Sequence, residues 1–415
     1  IRLHEPRVGR HEAYFSWDVE PETELYRRTA FRLTFPSDLA LGAVPMALWW
    51  RVALICLHAH FAILRPCRVE LPVRLGPAER EFWLRMIDRV SAQLETFGSP
   101  SRHGRAAEFV ESGPRLAPVA LPADGRTAVA FSGGKDSLVL ASLAAELTGR
   151  PLLVSITSPV SWARDHVGAA RELARTKASE RLPADVVEVH SDFRTAWELG
   201  FSARDGCTLG VHELSDLPLY HGTIAAVAAA SGIGSCLMAS EADIQYNAGR
   251  GSNVILHREF MSCSVTQGAL DAMLRGFGLR QGSLTFPLHM PQVQTLLLRR
   301  YWKLADLQFS CWQAPPGTQA CSACSKCFEI ALVTLSQGVT PRAVGIDPVR
   351  ALLASSERTL GGPPRHRGPT LSEHRSPHHH VIRALQARST GEVASILSAD
   401  PVTTHGGRVG EALAI

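Results

Sequence analysis

The run Thr127-Ala128-Val129-Ala130-Phe131-Ser132-Gly133-Gly134-Lys135-Asp136-Ser137 decides the fold. Thr127–Phe131 is short and apolar, which predicts a strand buried on both faces. Leu138–Leu147 reads as a helix, and the two glycines lie between them. A strand, a glycine turn and a helix start, in that order, make a cradle for an anion. Glycine lets the backbone approach closely and adopt positive φ. The helix start adds unpaired N–H groups and a favourable dipole. Ser132 and Ser137 supply hydroxyl donors. Asp136 would repel a phosphate, so its expected role is to hold Mg²⁺ or to organise the loop. Lys135 either reaches a phosphate or faces solvent. The GxxxxGK[ST] spacing of a Walker loop is absent.

The pattern continues on the C-terminal side of this loop. Pro151–Ile156, Asp185–His190 and Cys236–Ala239 read as further strands, and Val167–Lys177 and Leu219–Ser231 as helices. Short apolar strands alternating with helices predict an α/β fold, a doubly wound parallel sheet with helices on both faces. Ligands of such sheets bind beyond the carboxyl ends of the strands.

Residues 1–118 read as an N-terminal α+β region. Ala30–Phe35 and Arg68–Leu75 alternate as strands, and Pro72 predicts an edge position for the second. Pro77–Phe97 has helical periodicity with Phe82, Met86 and Val90 on one stripe. Val44–Leu64 is apolar and near membrane-spanning length, but it contains Arg51, His58 and His60. One central charge costs roughly 2.5–3.5 kcal/mol on insertion, so a buried amphipathic helix is expected instead of a membrane span. Ser99–Asp124 reads as a linker. Beyond about residue 347 the pattern dissolves into a mobile tail, with one short helix expected over Val381–Leu397.

The 415 residues are 45% hydrophobic and 20% charged, with a net charge of +4, as in an ordinary globular enzyme. That charge does not favour nucleic acid as a partner, although it leaves room for a local basic patch. No charged segment followed by an apolar run opens the chain, so no signal peptide and a cytoplasmic location are expected. Of nine cysteines, three crowd into Cys321-Ser322-Ala323-Cys324-Ser325-Lys326-Cys327, with Cys311 ten positions earlier. Four thiolates at this spacing can close a tetrahedral Zn²⁺ site. An iron–sulfur cluster and a metal-free redox cluster are the competing readings.

SGGKDS at Ser132–Ser137 resembles the SGGxDS signature of the PP-loop (N-type ATP pyrophosphatase) superfamily. Ser310-Cys311-Trp312 followed by CxxCxxC and a helix over Phe328–Ser336 resembles 7-cyano-7-deazaguanine synthase within it. His166 with Ala169, Ala170 and Leu173, and Met238–Asp243 with its closing Asp, are similar to further elements of that family. The resemblance spans residues 126–346. It implies a Rossmann-like PP-loop core with a C-terminal zinc element, and a family in which dimers are common. The family's Tyr-Pro-Asp-Cys element is replaced by Ile244-Gln245-Tyr246-Asn247-Ala248-Gly249, and its Arg-Asn pair by Tyr220-His221-Gly222. Extended relatives occur in natural-product and anti-phage defence clusters, where the substrate can differ from the free base.

By that resemblance, ATP, Mg²⁺ and Zn²⁺ are the cofactors. Ser132, Gly133, Gly134, Lys135, Asp136 and Ser137 would hold the nucleotide. Asp136, Ser137 and Asp243 would serve catalysis, and Glu241 could join Asp243 on Mg²⁺ or a base edge. His221 and Tyr220 would line the adenine or substrate pocket. The implied reaction adenylates a 7-carboxy-7-deazaguanine-like carboxylate. Ammonia then gives an amide or nitrile, or an acceptor protein gives a conjugate. A tRNA-modifying sulfur transferase and a non-catalytic nucleotide-binding module are the alternatives.

Overall fold

The computed structural model describes residues 1–64, 66–96, 107–157, 165–197, 216–242, 261–311, 313–360 and 377–399. The chain is α/β, built on a mixed and mostly parallel sheet. From the N-terminus come β1 (Arg2–Leu3), β2 (Arg7–Val8), β3 (Glu12–Asp18), β4 (Ala30–Thr34), α1 (Met46–Ile63), β5 (Cys67–Leu71), α2 (Pro77–Thr96) and β6 (Ala107–Glu111). The central part holds β7 (Thr127–Ala130), α3 (Lys135–Thr148), β8 (Leu152–Thr157), α4 (Asp165–Arg181), β9 (Asp185–Ser191), α5 (Leu217–Ala230) and β10 (Ser235–Leu237). Then follow α6 (Ser264–Leu274), β11 (Arg280–Gly282), α7 (Met290–Arg299), α8 (Ser325–Ser336), α9 (Pro348–Leu360), α10 (Pro377–Gln386) and α11 (Thr390–Ser398).

The strand order is β11-β10-β7-β8-β9-β4-β3-β1-β5-β6, with β2 on β3. Strands β11, β10, β7, β8 and β9 are mutually parallel. The path runs from β7 outward through β8 to β9, then returns to place β10 on the other side of β7. The order therefore reverses between β7 and β10, and a crevice opens there at the carboxyl edge.

Alternation along these strands divides two cores. Ala128, Leu152, Val154 and Ile156 pack with α5, α1 and α2 on one face. Val129, Phe131 and Leu153 pack with α3, Ala178 of α4, α7 and α8 on the other. Helices therefore cover both faces of the parallel part.

The N-terminal strands belong to the same sheet. Strand β4 joins β9 antiparallel through Leu33 opposite Ser191 and Thr34 opposite His190. Only the carboxyl end of β9 is used, so Ala30–Arg32 continues past it and the N-terminal strands lean toward the crevice edge. Helix α1 is buried along its whole length from Ala47 to Ala62, not amphipathic as its charges suggested. It lies between α5 and α2, and its own Trp49 packs against Phe15, whose ring stacks on Phe31. Arg51 is tolerated because it donates to Glu79 at 2.5 Å, to Ala47 O at 2.8 Å and to Leu116 O at 3.0 Å. Among the described residues, the one helix long and apolar enough to cross a membrane is thus a core helix.

Several local expectations are corrected. Strand β5 is not an edge, because β1 and β6 flank it; Pro72 falls just past its end. The stretch read as a linker contains β6. The buried stripe of α2 is Trp83, Met86, Ile87 and Val90, and Phe82 is half-buried. In the tail, α10 and α11 are two helices, capped apart by Ser389 accepting from Glu392 N. Val381 and Leu385 of α10 pack on Met290 and Val333, so this part of the tail is docked.

Three buried histidines give the fold a defined pH response. Burial pushes His58 and His221 down to about 4 and His60 well below its ordinary value. Between pH 6.5 and 4 the unfolded chain takes up protons that the folded chain refuses. Stability is therefore complete above about 6.5 and is lost as pH falls toward 4. His221→Gln should reduce the slope of unfolding free energy against pH by about 1.4 kcal/mol per pH unit in that window. Urea titrations of both proteins at pH 4.5–6.5 check this, and parallel slopes would refute it.

Candidate functional site

The loop Ser132–Gly134 leaves β7 at the crevice. Gly133 has φ +78°, and a Cβ there would stand 3.1 Å from Ala174 Cβ of α4. Only glycine suits both the turn and the close helix. Gly134 is the N-cap of α3 in an extended conformation. Ser137 Oγ accepts from Ser132 N at 3.3 Å and donates to Gly134 O at 3.0 Å, closing the turn on itself. The first turn of α3 faces the crevice with backbone N–H groups that have no intrahelical partner. One of them, Lys135 N, donates to Ser310 Oγ at 3.2 Å.

Lys135 turns inward, neither into solvent nor free in the crevice. Its side chain is 3% exposed and its Nζ pairs with Asp136 and, at 2.5 Å, with Glu241 Oε1. Glu241 follows β10, so this ion triad bridges the two strands that flank the switch point. Neighbours fix Glu241. Ser240 O accepts from Ser283 Oγ at 3.1 Å and Thr285 Oγ1 at 2.8 Å. Ser240 Oγ accepts from Gln267 Nε2 at 2.7 Å, and Ala242 N donates to Leu288 O at 2.8 Å.

Charge in the triad is unevenly shared. Burial opposes ionisation of Lys135, but Asp136 and Glu241 overcome it and hold the ammonium above the lysine range. Burial likewise opposes ionisation of Asp136, and Lys135 outweighs it, keeping Asp136 below the carboxylate range. Burial, reinforced by Asp136, raises Glu241 well above that range, so it is the carboxylate that takes a proton first.

A second assembly sits against the loop. Cys311, Cys321, Cys324 and Cys327 place their Sγ atoms within 4.8 Å of one another. The pairs Cys311–Cys324 and Cys321–Cys327 are 3.9 Å apart and Cys324–Cys327 3.4 Å. Sulfurs about 2.3 Å from a tetrahedral ion stand about 3.8 Å from each other, so the set fits one metal ion such as zinc. A multi-iron cluster needs thiolates spread more widely. The knuckle turns on Ser322 at φ +52°, whose Oγ accepts from Asp347 N at 2.9 Å. Cys324 is the N-cap of α8, and Cys327 lies in its first turn. Cys321 N donates to Cys311 Sγ at 3.3 Å and Ala323 N to Cys321 Sγ at 3.4 Å, the backbone contacts that orient ligand sulfurs around a metal site.

The two assemblies are joined by the strap Gln308–Cys311. Phe309 N donates to Gly133 O at 2.9 Å. Gln308 Nε2 donates to Ser310 Oγ at 3.3 Å, and Gln294 Nε2 to Gln308 Oε1 at 3.0 Å. The next residue, Cys311, is a member of the thiol set.

The structure brings Ser132–Ser137 together with Glu241 and Ser310, and all four cluster cysteines together. Asp243 lies outside the described residues, as do Tyr246 and Asn247. His221 is fully buried in α5, its Nδ1 paired with Gln281. Gly222 beside it lets α1 approach, since a Cβ there would stand 3.2 Å from Val52 Cγ1. Sequence reasoning gave Lys135 no partner and Ser310 no role. The one available signal was Ser310 preceding a clustered cysteine.

No model of a known protein family matches the chain, and no curated protein matches it.

The triad yields a stability test. Lys135→Met strands the buried carboxylate of Glu241 and the half-buried one of Asp136 and should cost about 3–5 kcal/mol. Adding Glu241→Gln removes one of them and should restore most of the loss. Urea unfolding of the single and double variants decides it; a single-variant cost below about 1 kcal/mol would show that the ammonium is not what holds the carboxylates there.

Proposed function

We propose that this chain is an ATP-dependent carbon–nitrogen ligase of the PP-loop type, similar to 7-cyano-7-deazaguanine synthase, with zinc on its four cysteines. The observation that carries this reading is the phosphate-type loop at the β7/β10 switch point, strapped through Phe309 and Ser310 to a tetrathiol centre. The two sequence resemblances lie 175 residues apart, from Lys135 to Ser310, yet they meet through one hydrogen bond.

In this reading the pyrophosphate part of ATP lies over the first turn of α3. Backbone N–H groups there and the hydroxyl of Ser132 donate to it, Ser137 joins them by turning its hydroxyl away from Gly134 O, and Gly133 and Gly134 let it approach. A substrate carboxylate attacks the α-phosphorus, the bond to the bridging oxygen breaks, and pyrophosphate leaves with an acyl-adenylate formed. Ammonia or another amine then attacks the acyl carbon and expels AMP, giving an amide. Asp136 and Glu241 stand where Mg²⁺ arriving with the nucleotide would meet them, in competition with Lys135. The chain's contribution is positioning and charge stabilisation. Zinc would act structurally, fixing the strap and α8 onto the loop.

Two experiments test the parts separately. Elemental analysis should return about one zinc per chain, and Cys324→Ser should lose it and unfold at a lower temperature; iron in its place would overturn the zinc assignment. Incubation with ATP, Mg²⁺, ammonia and 7-carboxy-7-deazaguanine, followed by mass spectrometry, should show AMP with an amide or nitrile. Asp136→Ala should lower turnover at least 100-fold with the fold intact. AMP without such a product would move the reading to another nucleophile, such as an acceptor protein. Full activity of the variant would refute the loop assignment.

A further inference from the structure

The loop has a charge deficit. Its one lysine is committed, because Lys135 pairs with both Asp136 and Glu241. With Glu241 protonated the triad is neutral, and with all three side chains ionised it is net negative; in neither state does it leave a free positive charge. A polyphosphate laid over α3 then has backbone dipoles and hydroxyls to bind it but no free cation from the loop.

The metal knuckle presents one. Lys326 lies between Cys324 and Cys327, in the first turn of α8, and is exposed. Among the described residues it forms no ion pair. It lines a shallow cavity together with Ser310, Gln308, Cys311 and Cys327. Ser310 is the residue whose hydroxyl accepts from Lys135 N at 3.2 Å, so this cavity adjoins the start of α3. The charge of Lys326 is felt at Asp136, where it helps to hold the carboxylate ionised. The starts of α3 and α8 thus both adjoin the strap, one through Ser310 and the other through Cys311, and Lys326 lies in the first turn of α8.

We propose that Lys326 is a polyphosphate-binding residue, a cation carried by the metal knuckle that pairs with the β,γ-phosphates of a nucleotide lying on the Ser132–Ser137 loop. This rests on the nucleotide reading given above and extends it to a second element of the chain. A lysine so placed discriminates by phosphate number: it contributes to binding of ATP and pyrophosphate and nothing to AMP. It also makes the metal knuckle part of the binding surface. The competing role is purely local, in which Lys326 only offsets the negative charge of a metal-bound tetrathiolate.

The test uses the full-length, zinc-loaded protein and calorimetric titration with Mg²⁺·ATP, pyrophosphate and AMP. Lys326→Met should weaken ATP and pyrophosphate by about tenfold or more, the scale of one charge-assisted hydrogen bond. AMP affinity, zinc content and melting temperature should stay unchanged, and Lys326→Arg should keep most of the ATP affinity. Unchanged ATP affinity in Lys326→Met, with the wild type binding normally, overturns the proposal and leaves the nucleotide reading standing. Loss of zinc or of AMP affinity in parallel with ATP also overturns it, since that is the local role. If the wild type binds neither ATP nor pyrophosphate, the nucleotide reading itself fails.

Discussion

A buried ammonium between one buried and one half-buried carboxylate sets the geometry of the crevice. Lys135 at the start of α3 can remain charged in the interior only with Asp136 and Glu241 beside it, and Glu241 can be buried only with it. Glu241 lies past the end of β10 and Lys135 past the end of β7, so the triad fixes how far the two segments can separate beyond the ladder that joins the strands. That separation is the width of the crevice at the switch point. Around Glu241, Gln267, Ser283 and Thr285 hold Ser240, and Leu288 holds Ala242. The loop is therefore preorganised on one side by an ion triad and on the other by the strap.

The N-terminal region serves the same geometry. Its strands prolong the sheet past β9, and α1 fills the space between α5 and α2. Strand β4 overlaps only the last two residues of β9, which shifts the added strands toward the carboxyl edge. The wall that results begins beyond β8 and β9 on the far side from β10, and its inner face is apolar and packed. Removing this region would expose the whole flank of α5, where Ile224 to Ala228 are completely buried.

What the sequence made legible was local. The glycine loop could be read because strand, glycine turn and helix are contiguous, and the four cysteines because three lie within seven residues. The central strands and helices were placed to within a few residues by apolar alternation. What escaped depends on partners distant in sequence. Strand β11 has three residues and gains its identity only by pairing with β10. Strand β6 sits in a Pro- and Gly-rich stretch and exists because β5 offers a free edge. Arg51 suggested an amphipathic α1, whereas Glu79, from another helix, lets that charge be buried. Lys135 likewise has no readable role until Glu241, 106 residues away, is brought to it.

The strap explains why a metal-type centre belongs beside this loop. Gln308–Cys311 is irregular backbone, with no ladder to fix its register, yet Ser310 must present its hydroxyl at 3.2 Å from Lys135 N. A one-residue slip would replace Ser310 with Phe309 or Cys311 and leave a helix-start N–H unpaired in the interior. Phe309 N on Gly133 O fixes one point of the segment. A metal held through Cys311 would fix the adjacent point, in a bond far stronger than the hydrogen bonds around it. With both points set, the residue between has only one position available, and the register of the strap follows from the order Phe309, Ser310, Cys311.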